Sequence, residues 1–191
     1  DVLNNQEFSS FYSLPTPGGG AAGFALRLTS QLWGAESNLT AEVWRDDSLR
    51  LRLLAGFRYL EVEEGLFLDD VALFFAPTDI FRIASFPAFS TFPAFNEFGT
   101  NNQFYGGQLG AQAEYRCGRW QVEGQVKVAL GGVREVLRIN GGTGAIPPGS
   151  QASVLKVPGD SFALSSNIAR HSQSEFAVLP EVRLNTGTWL T

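Results

Sequence analysis

The feature that most constrains this chain is a two-residue alternation of apolar and polar side chains, which recurs in five segments. Such alternation is typical of β-strands, because successive side chains of a strand point to opposite faces of a sheet. It is clearest in FYGGQLGAQAEYRCGRWQVEGQVKVALG, where two alternating runs flank a tight turn. The sequence therefore predicts an all-β, antiparallel fold. The predicted strands are residues 28–45, 50–62, 102–116, 120–130 and 174–188.

The connections between these strands alternate between short and long. Residues 46–48 and 117–119 are tight turns, whereas residues 63–101 and 131–173 are long loops. Loops beyond about 12–15 residues are uncommon in compact domains unless they have a function. The alternation is typical of an up-and-down transmembrane β-barrel with short periplasmic turns and long extracellular loops. Residues 1–21 are expected to form a further loop.

The two long loops differ in composition. Within residues 63–101, the stretch from Phe74 to Phe98 holds eight of the sixteen Phe residues, which predicts a hydrophobic lid over the barrel mouth or an apolar patch for another envelope component. Residues 131–173 are rich in Gly, Pro and Ser and are expected to be flexible. The net charge of −5 argues against nucleic-acid binding, which needs a basic face.

The alternation alone does not decide which face is inside, because a soluble sandwich or lipocalin-like barrel has the same pattern with the apolar face inward. The loop asymmetry, the mixed charges of the polar face and the aromatic residues at strand ends favour a membrane barrel. Trp44 is an exception, because it falls on the polar-face parity. The aromatic residues expected to form lipid-facing girdles are Trp33, Tyr59, Tyr105, Tyr115, Trp120 and Phe176. The residues expected to face the lumen are Glu36, Glu42, Arg52, Arg58, Gln108, Gln112, Glu114, Glu123, Lys127, Glu181 and Arg183.

Several phrases of the sequence resemble those of a family of bacterial outer-membrane β-barrel proteins found chiefly in planctomycetes. They include LAGFRYL at residues 54–60, NQFYGGQLGA at 102–111, KVALG at 127–131 and FAVLPE at 176–181. The resemblance spans about residues 32–188 in matching order. It implies an outer-membrane location and a barrel fold, and it carries over no catalytic or binding residues.

Five strands are too few to close a membrane barrel, since the smallest use about eight. An open sheet edge in lipid would leave backbone groups unsatisfied. We therefore expect residues 1–191 to form a single barrel domain that is a fragment of a longer barrel, or to be joined by other copies of the chain.

The sequence does not indicate catalysis, a metal site or a cofactor. His171 lies near Ser172 and Asn167, but no nucleophile elbow or orienting partner occurs at a recognisable spacing. Asp69-Asp70, the single Cys117 and the single His171 do not make a metal-ligand cluster.

The function predicted from the sequence is a porin-like passive channel for small solutes in the bacterial outer membrane, with the lipid bilayer as its partner. A structural or adhesive envelope barrel with a plugged lumen, held by other envelope proteins or further copies, is the alternative. A soluble lipocalin-like ligand-binding barrel is the second alternative.

Overall fold

The computed structural model describes residues 2–14, 18–80 and 84–188, and most of these residues belong to β-strands. In those ranges there is no helix long and apolar enough to cross a membrane. The strands are β1 (Val2–Leu14), β2 (Gly20–Arg45), β3 (Leu49–Phe74), β4 (Thr78–Ile80), β5 (Ala84–Phe86), β6 (Thr91–Cys117), β7 (Trp120–Ala145), β8 (Leu155–Pro158) and β9 (Ala169–Thr188).

The six long strands form one antiparallel meander. Its order is β1-β2-β3-β6-β7-β9, and the short β8 pairs with the far end of β7. The predicted all-β, antiparallel up-and-down architecture is therefore confirmed. Within the described ranges, β1 pairs only with β2 and β9 pairs only with β7. These residues therefore form an open sheet rather than a closed barrel.

The long strands extend well beyond the predicted ones. β3 runs to Phe74, β6 begins at Thr91 and β7 runs to Ala145, so the expectation that residues 63–101 and 131–173 are entirely loop was wrong. The extensions pair residue for residue, for example Glu63 with Asn101. Each extension is held by a backbone hydrogen-bond ladder, which forms regardless of whether the side chains keep a clean alternation.

The expectation of a loop at residues 1–21 was also wrong. Val2–Leu14 forms a strand that pairs with the first half of β2, from Leu32 back to Gly20. The turn between them includes Gly18 and Gly19, whose φ angles of 90° and 75° lie in the left-handed region that favours glycine. The described sheet therefore has six long strands rather than about five.

The shorter loops that remain on the long-loop side pack against each other. A cluster of Phe86, Phe92 and Ala145 is buried where the ends of β5, β6 and β7 meet, and Phe74 packs against it. The rings of Phe74 and Phe92 are 5.5 Å apart in an edge-to-face arrangement. Part of the Phe-rich segment is therefore a small hydrophobic core that fixes the strand ends.

The tight turn between β2 and β3 is held by Asp46. Its carboxylate accepts hydrogen bonds from the backbone N–H groups of Leu49, at 2.7 Å, and Ser48, at 2.9 Å. The hydrogen bond from Leu49, followed by that from Ser48, holds the pKa of Asp46 below its usual range. An aspartate in this role is a common way to close a short hairpin.

Candidate functional site

One face of the sheet carries the charged and amide side chains that the alternation predicted to lie together. The pairing register places Arg58 beside Glu36, Arg52 beside both Glu42 and Gln112, and Lys127 beside Glu181. We call ten charged members of this face the charged belt, and Arg116, nearer the short turn, is not included in it. The charged belt consists of Glu36, Glu42, Arg50, Arg52, Arg58, Glu114, Glu123, Lys127, Glu181 and Arg183.

The central part of the charged belt is a network of ion pairs. Lys127 Nζ lies 2.8 Å from Glu36 Oε2 and 3.1 Å from Glu181 Oε1. Glu181 also accepts from Arg58, at 2.5 Å, and from Arg183, at 3.4 Å. Gln108 donates to Glu36 at 3.2 Å and to Asn38 at 2.6 Å, which adds an amide group to the network.

A second group of ion pairs lies nearer the short turns. Arg50 bridges Glu42, at 3.3 Å, and Glu114, at 3.7 Å. Arg52 lies 3.9 Å from Glu114, and Arg116 Nε donates to the same carboxylate at 2.8 Å. Gln112 donates to Glu123 at 2.8 Å.

The central ion pairs show that the sheet is curved, with the charged belt on its concave side. β3 and β6 separate Lys127 on β7 from Glu36 on β2, and two strands likewise separate Arg58 from Glu181. Three strand spacings in a flat sheet are about 14 Å, so these side chains meet only because the sheet bends toward them. Lys127 is 2% exposed, whereas Leu109 on the opposite, convex face is 66% exposed.

A glycine allows Lys127 to reach across the concave face. Gly110 on β6 pairs with Lys127, and a Cβ atom added at Gly110 would collide first with the backbone oxygen of Val126 and would lie 2.9 Å from Lys127 Cγ. Any larger residue would therefore occupy the space through which the lysine side chain passes.

The convex face carries apolar side chains, and its aromatic residues lie in two rows. In the first row Tyr59 pairs with Tyr105, and Tyr105 is linked through Gly132 to Phe176. The ring of Trp33 packs on that of Tyr59 at 5.0 Å, which places the tryptophan in the same row. Near the short turns, Tyr115 and Trp120 form the second row. Between the rows, large apolar residues are exposed: Leu39, Leu53, Phe57, Leu109, Val126, Leu130, Val178, Val182 and Leu184.

Trp44 belongs to the second aromatic row, contrary to the parity expected from the sequence. A β-bulge falls between Glu42 and Trp44, so Trp44 pairs with Leu51, an apolar-face residue. The extra residue in a bulge shifts the alternation by one. The indole Nε1 of Trp44 donates to Asp46 at 3.3 Å, which directs its polar edge toward the turn.

The alternation reverses beyond the first aromatic row, in the direction of the long loops. On the convex side, Glu61 accepts hydrogen bonds from Asn101, at 2.8 Å, and Gln103, at 2.7 Å. On the concave side, Leu60 and Phe104 pair with each other, and the apolar character continues toward Phe92. The strands therefore have two zones of opposite polarity, one with an apolar convex face and one with a polar convex face.

The single histidine lies in the second zone. His171 on β9 pairs with Leu137 and lines an open cavity of about 580 Å³ with Glu135, Gln173 and Asn102. The structure brings no serine or aspartate into hydrogen-bonding contact with His171 among the described residues. Those residues likewise hold no group of three or more His, Cys, Asp or Glu side chains suited to a metal ion.

The structure thus brings every predicted polar residue onto one face, together with three further residues that have the same parity in the sequence. Arg50, Asn38 and Arg116 share the parity of the polar face and join its hydrogen bonds. Their parity was visible in the sequence, but only the register shows that their side chains meet Glu114 and Gln108.

Comparison with known proteins adds a family. The family model described as "Putative beta barrel porin-7 (BBP7)" matches residues 1–191, the whole of the chain. A search of curated proteins found no match.

Proposed function

Because this chain belongs to the beta barrel porin-7 family, we propose that it forms part of an outer-membrane β-barrel that acts as a passive channel for small solutes. In this proposal the convex face between the aromatic rows contacts lipid, and the charged belt lines a water-filled lumen. No catalytic step is involved. The lipid bilayer is the principal partner, and other envelope proteins or further copies of the chain are the others.

The dimensions of the apolar zone support a lipid-facing role. Tyr105 and Tyr115, one in each aromatic row, are ten residues apart on β6. At about 3.3 Å per residue and a strand tilt of about 40°, they are separated by about 25 Å along the barrel axis, the height of the apolar band of outer-membrane barrels. Aromatic rings at both limits of that band are expected at lipid–water boundaries.

The observation that carries the proposal is the direction of curvature. In the zone between the aromatic rows, the sheet bends toward the charged face, as the Lys127–Glu36 contact requires. A soluble lipocalin-like barrel would bend toward its apolar face. A polar concave face and an exposed apolar convex face are the arrangement of membrane pores.

The charged belt also supports a statement about selectivity. The five cations and five anions of the belt balance in formal charge, Arg116 beside the belt adds one positive charge, and every belt member except Glu123 forms an ion pair. A solute passing such a surface meets both signs, so we propose weak selectivity for ions rather than strong preference for either sign. An open space of about 230 Å³ lies beside Glu36, Arg58, Glu181 and Arg183, where a solute could contact the belt.

The experiment is single-channel recording of the full native protein in planar lipid bilayers. We expect discrete conductance steps and a small reversal potential in a salt gradient. Arg183→Gln removes an accessible belt cation, so the reversal potential should shift toward cation selectivity. Arg134→Gln removes the same charge from the convex face beyond the aromatic row and should leave selectivity unchanged. An equal shift in both variants would contradict a lumen lined by the belt.

A plugged structural barrel is the second candidate, and the depth of Lys127 favours it. This lysine is 2% exposed and is paired with two glutamates, as expected for charges that stabilise one another rather than contact solutes. Silent bilayers that contain folded β-sheet protein would support this candidate and overturn the channel. Protein that stays soluble without detergent would overturn both.

A further inference from the structure

A second cavity lies on the concave side of the zone beyond the first aromatic row, away from the charged belt. It has a volume of about 580 Å³, which is within the range of small-molecule sites. β2, β3 and β6 form its floor, and the segment around Asp160 to Phe162 covers it from the second long connection. Hydrogen bonds from Gly159 N to Gly141 O and from Asp160 N to Ala163 O hold that segment in place.

Aromatic rings form much of the wall. Phe24, Phe74, Phe92 and Phe162 line the cavity together with Leu68. Phe74 and Phe92 are locked edge-to-face, and Phe92 packs in the same way on Phe86 at 5.3 Å. This part of the wall, whose rings are fixed by their neighbours, keeps its shape when the cavity is empty or filled, whereas Phe162 on the covering segment is 60% exposed.

Two carboxyl groups project into this aromatic cavity. Asp70 on β3 faces Asp160, and the carboxyl of Asp160 accepts from Asn96 Nδ2 at 2.8 Å and from Thr143 Oγ1 at 3.3 Å. Burial, followed by the charge of Asp160 and a hydrogen bond to it, raises the pKa of Asp70 to about 6. The register neighbours of Asp70 are Phe24 and Ala94, so neither flanking strand supplies a cation opposite it.

We propose that this cavity is a binding site for a small organic cation with an apolar surface, such as a quaternary ammonium compound. Ring faces attract a cation through their negative electrostatic potential, and the two carboxyl groups supply the opposite charge. An anion would be repelled by the same groups. A bare divalent metal ion would require several more oxygen ligands than this apolar wall provides.

The proposal does not depend on conduction. The site lies beyond the charged belt, so it binds its ligand whether the lumen is open or plugged. It would act as a capture site on the long-loop side of the barrel. A silent barrel that binds the cation, or a conducting barrel that does not, would separate this proposal from the proposed function.

The experiment is calorimetric titration of the full native protein in detergent with choline and with 3,3-dimethylbutan-1-ol, which has the same shape without the charge. We expect choline to bind about tenfold more tightly or better, the effect of about 1.4 kcal/mol from one charge-based contact. Comparable affinities for choline and 3,3-dimethylbutan-1-ol would overturn the proposal, because the cavity would then bind apolar surface without recognising the charge. Binding of Ca²⁺ at the site in preference to choline would also overturn it.

The matched variants are Asp70→Asn and Asp69→Asn, which make the same charge change at adjacent positions of β3. Asp70 projects into the cavity, whereas Asp69 is exposed on the opposite face. Asp70→Asn should weaken choline binding about tenfold or more, and Asp69→Asn should change it less than about twofold. Equal loss in both variants would indicate a diffuse surface field and contradict a defined site. Circular dichroism would confirm that both variants retain the β-sheet.

Discussion

Lys127 on β7 and Glu36 on β2 form an ion pair with a separation of 2.8 Å between Nζ and Oε2, although β3 and β6 lie between their strands. This contact is a direct consequence of the curvature of the sheet. It links the edges of the four central strands across the concave face, and with Glu181 it connects β2 to β9 as well.

The first prediction concerns this ion pair. Lys127→Met should lower the free energy of unfolding by about 2 kcal/mol, because it leaves two carboxylates without their shared cation. Adding Glu36→Gln should restore part of the loss, with a coupling of about 1 kcal/mol in a double-mutant cycle. Urea unfolding in lipid vesicles measures both. The control is Arg45→Met, which breaks an exposed pair with Glu42 and should cost about 0.5 kcal/mol or less. Strict additivity of the two belt substitutions would contradict the contact.

The second prediction concerns Gly110, the residue of β6 that pairs with Lys127. Gly110→Ala should destabilise the protein by about 1–3 kcal/mol, because the added methyl group collides with the backbone oxygen of Val126 and with the side chain of Lys127. Gly107→Ala is the matched control on the same strand, since its Cβ would be 3.9 Å from the nearest atom outside its chain neighbours. Thermal unfolding followed by heat-dependent gel mobility reports both variants. A neutral Gly110→Ala would contradict the close packing of Gly110 against Val126 and Lys127.

The third prediction tests the proposed lipid-facing band. Leu109→Arg places a charge midway between Tyr105 and Tyr115 on the convex face and should cost about 2–4 kcal/mol of folding free energy in lipid. Gln103→Arg lies on the same face beyond the aromatic row and should cost about 1 kcal/mol or less. Unfolding by urea in vesicles of a fixed lipid composition measures the difference. Equal costs at the two positions would place the membrane boundary elsewhere.

The fourth prediction concerns Asp70, whose pKa is raised to about 6 in the folded protein. A raised carboxyl pKa means that the folded state holds the proton more tightly, so stability falls as pH increases from about 4 to about 6. Asp70→Asn should therefore be more stable than the native protein at pH 8, by about 1 kcal/mol after allowance for solvent screening, and equal to it near pH 4. Unfolding free energies at the two pH values provide the measurement. If the native protein were more stable than Asp70→Asn at pH 8, the ionised carboxyl of Asp70 would not destabilise the folded state, and the prediction would be contradicted.

The two zones of the strands explain which parts of the fold were predictable from sequence. Between the aromatic rows, apolar and polar residues alternate with few exceptions, such as Leu54 between Leu49 and Tyr59, and the predicted strands and their two faces agree with the structure. Beyond Leu60 the apolar side chains change to the concave face. A strand prediction that requires the apolar residues to stay on one face therefore ends at that point, although the strands continue.

Trp44 is a smaller example of the same limit. Its parity in the sequence is that of the polar face, and only a bulge at Val43 moves it to the apolar face. A bulge is defined by the pairing of two residues on one strand with one residue on its neighbour, so the sequence of one strand does not reveal it.

By itself, the sequence determined the strand class, the antiparallel order and the separation into an apolar and a charged face, because these follow from the two-residue period of an extended chain. The tertiary structure decided which face is concave, how far the strands extend, and that Asp70 meets Asp160 in an aromatic cavity. These depend on sheet curvature and on contacts between residues far apart in the chain. The local alternation of side chains is the same for a sheet that bends in either direction.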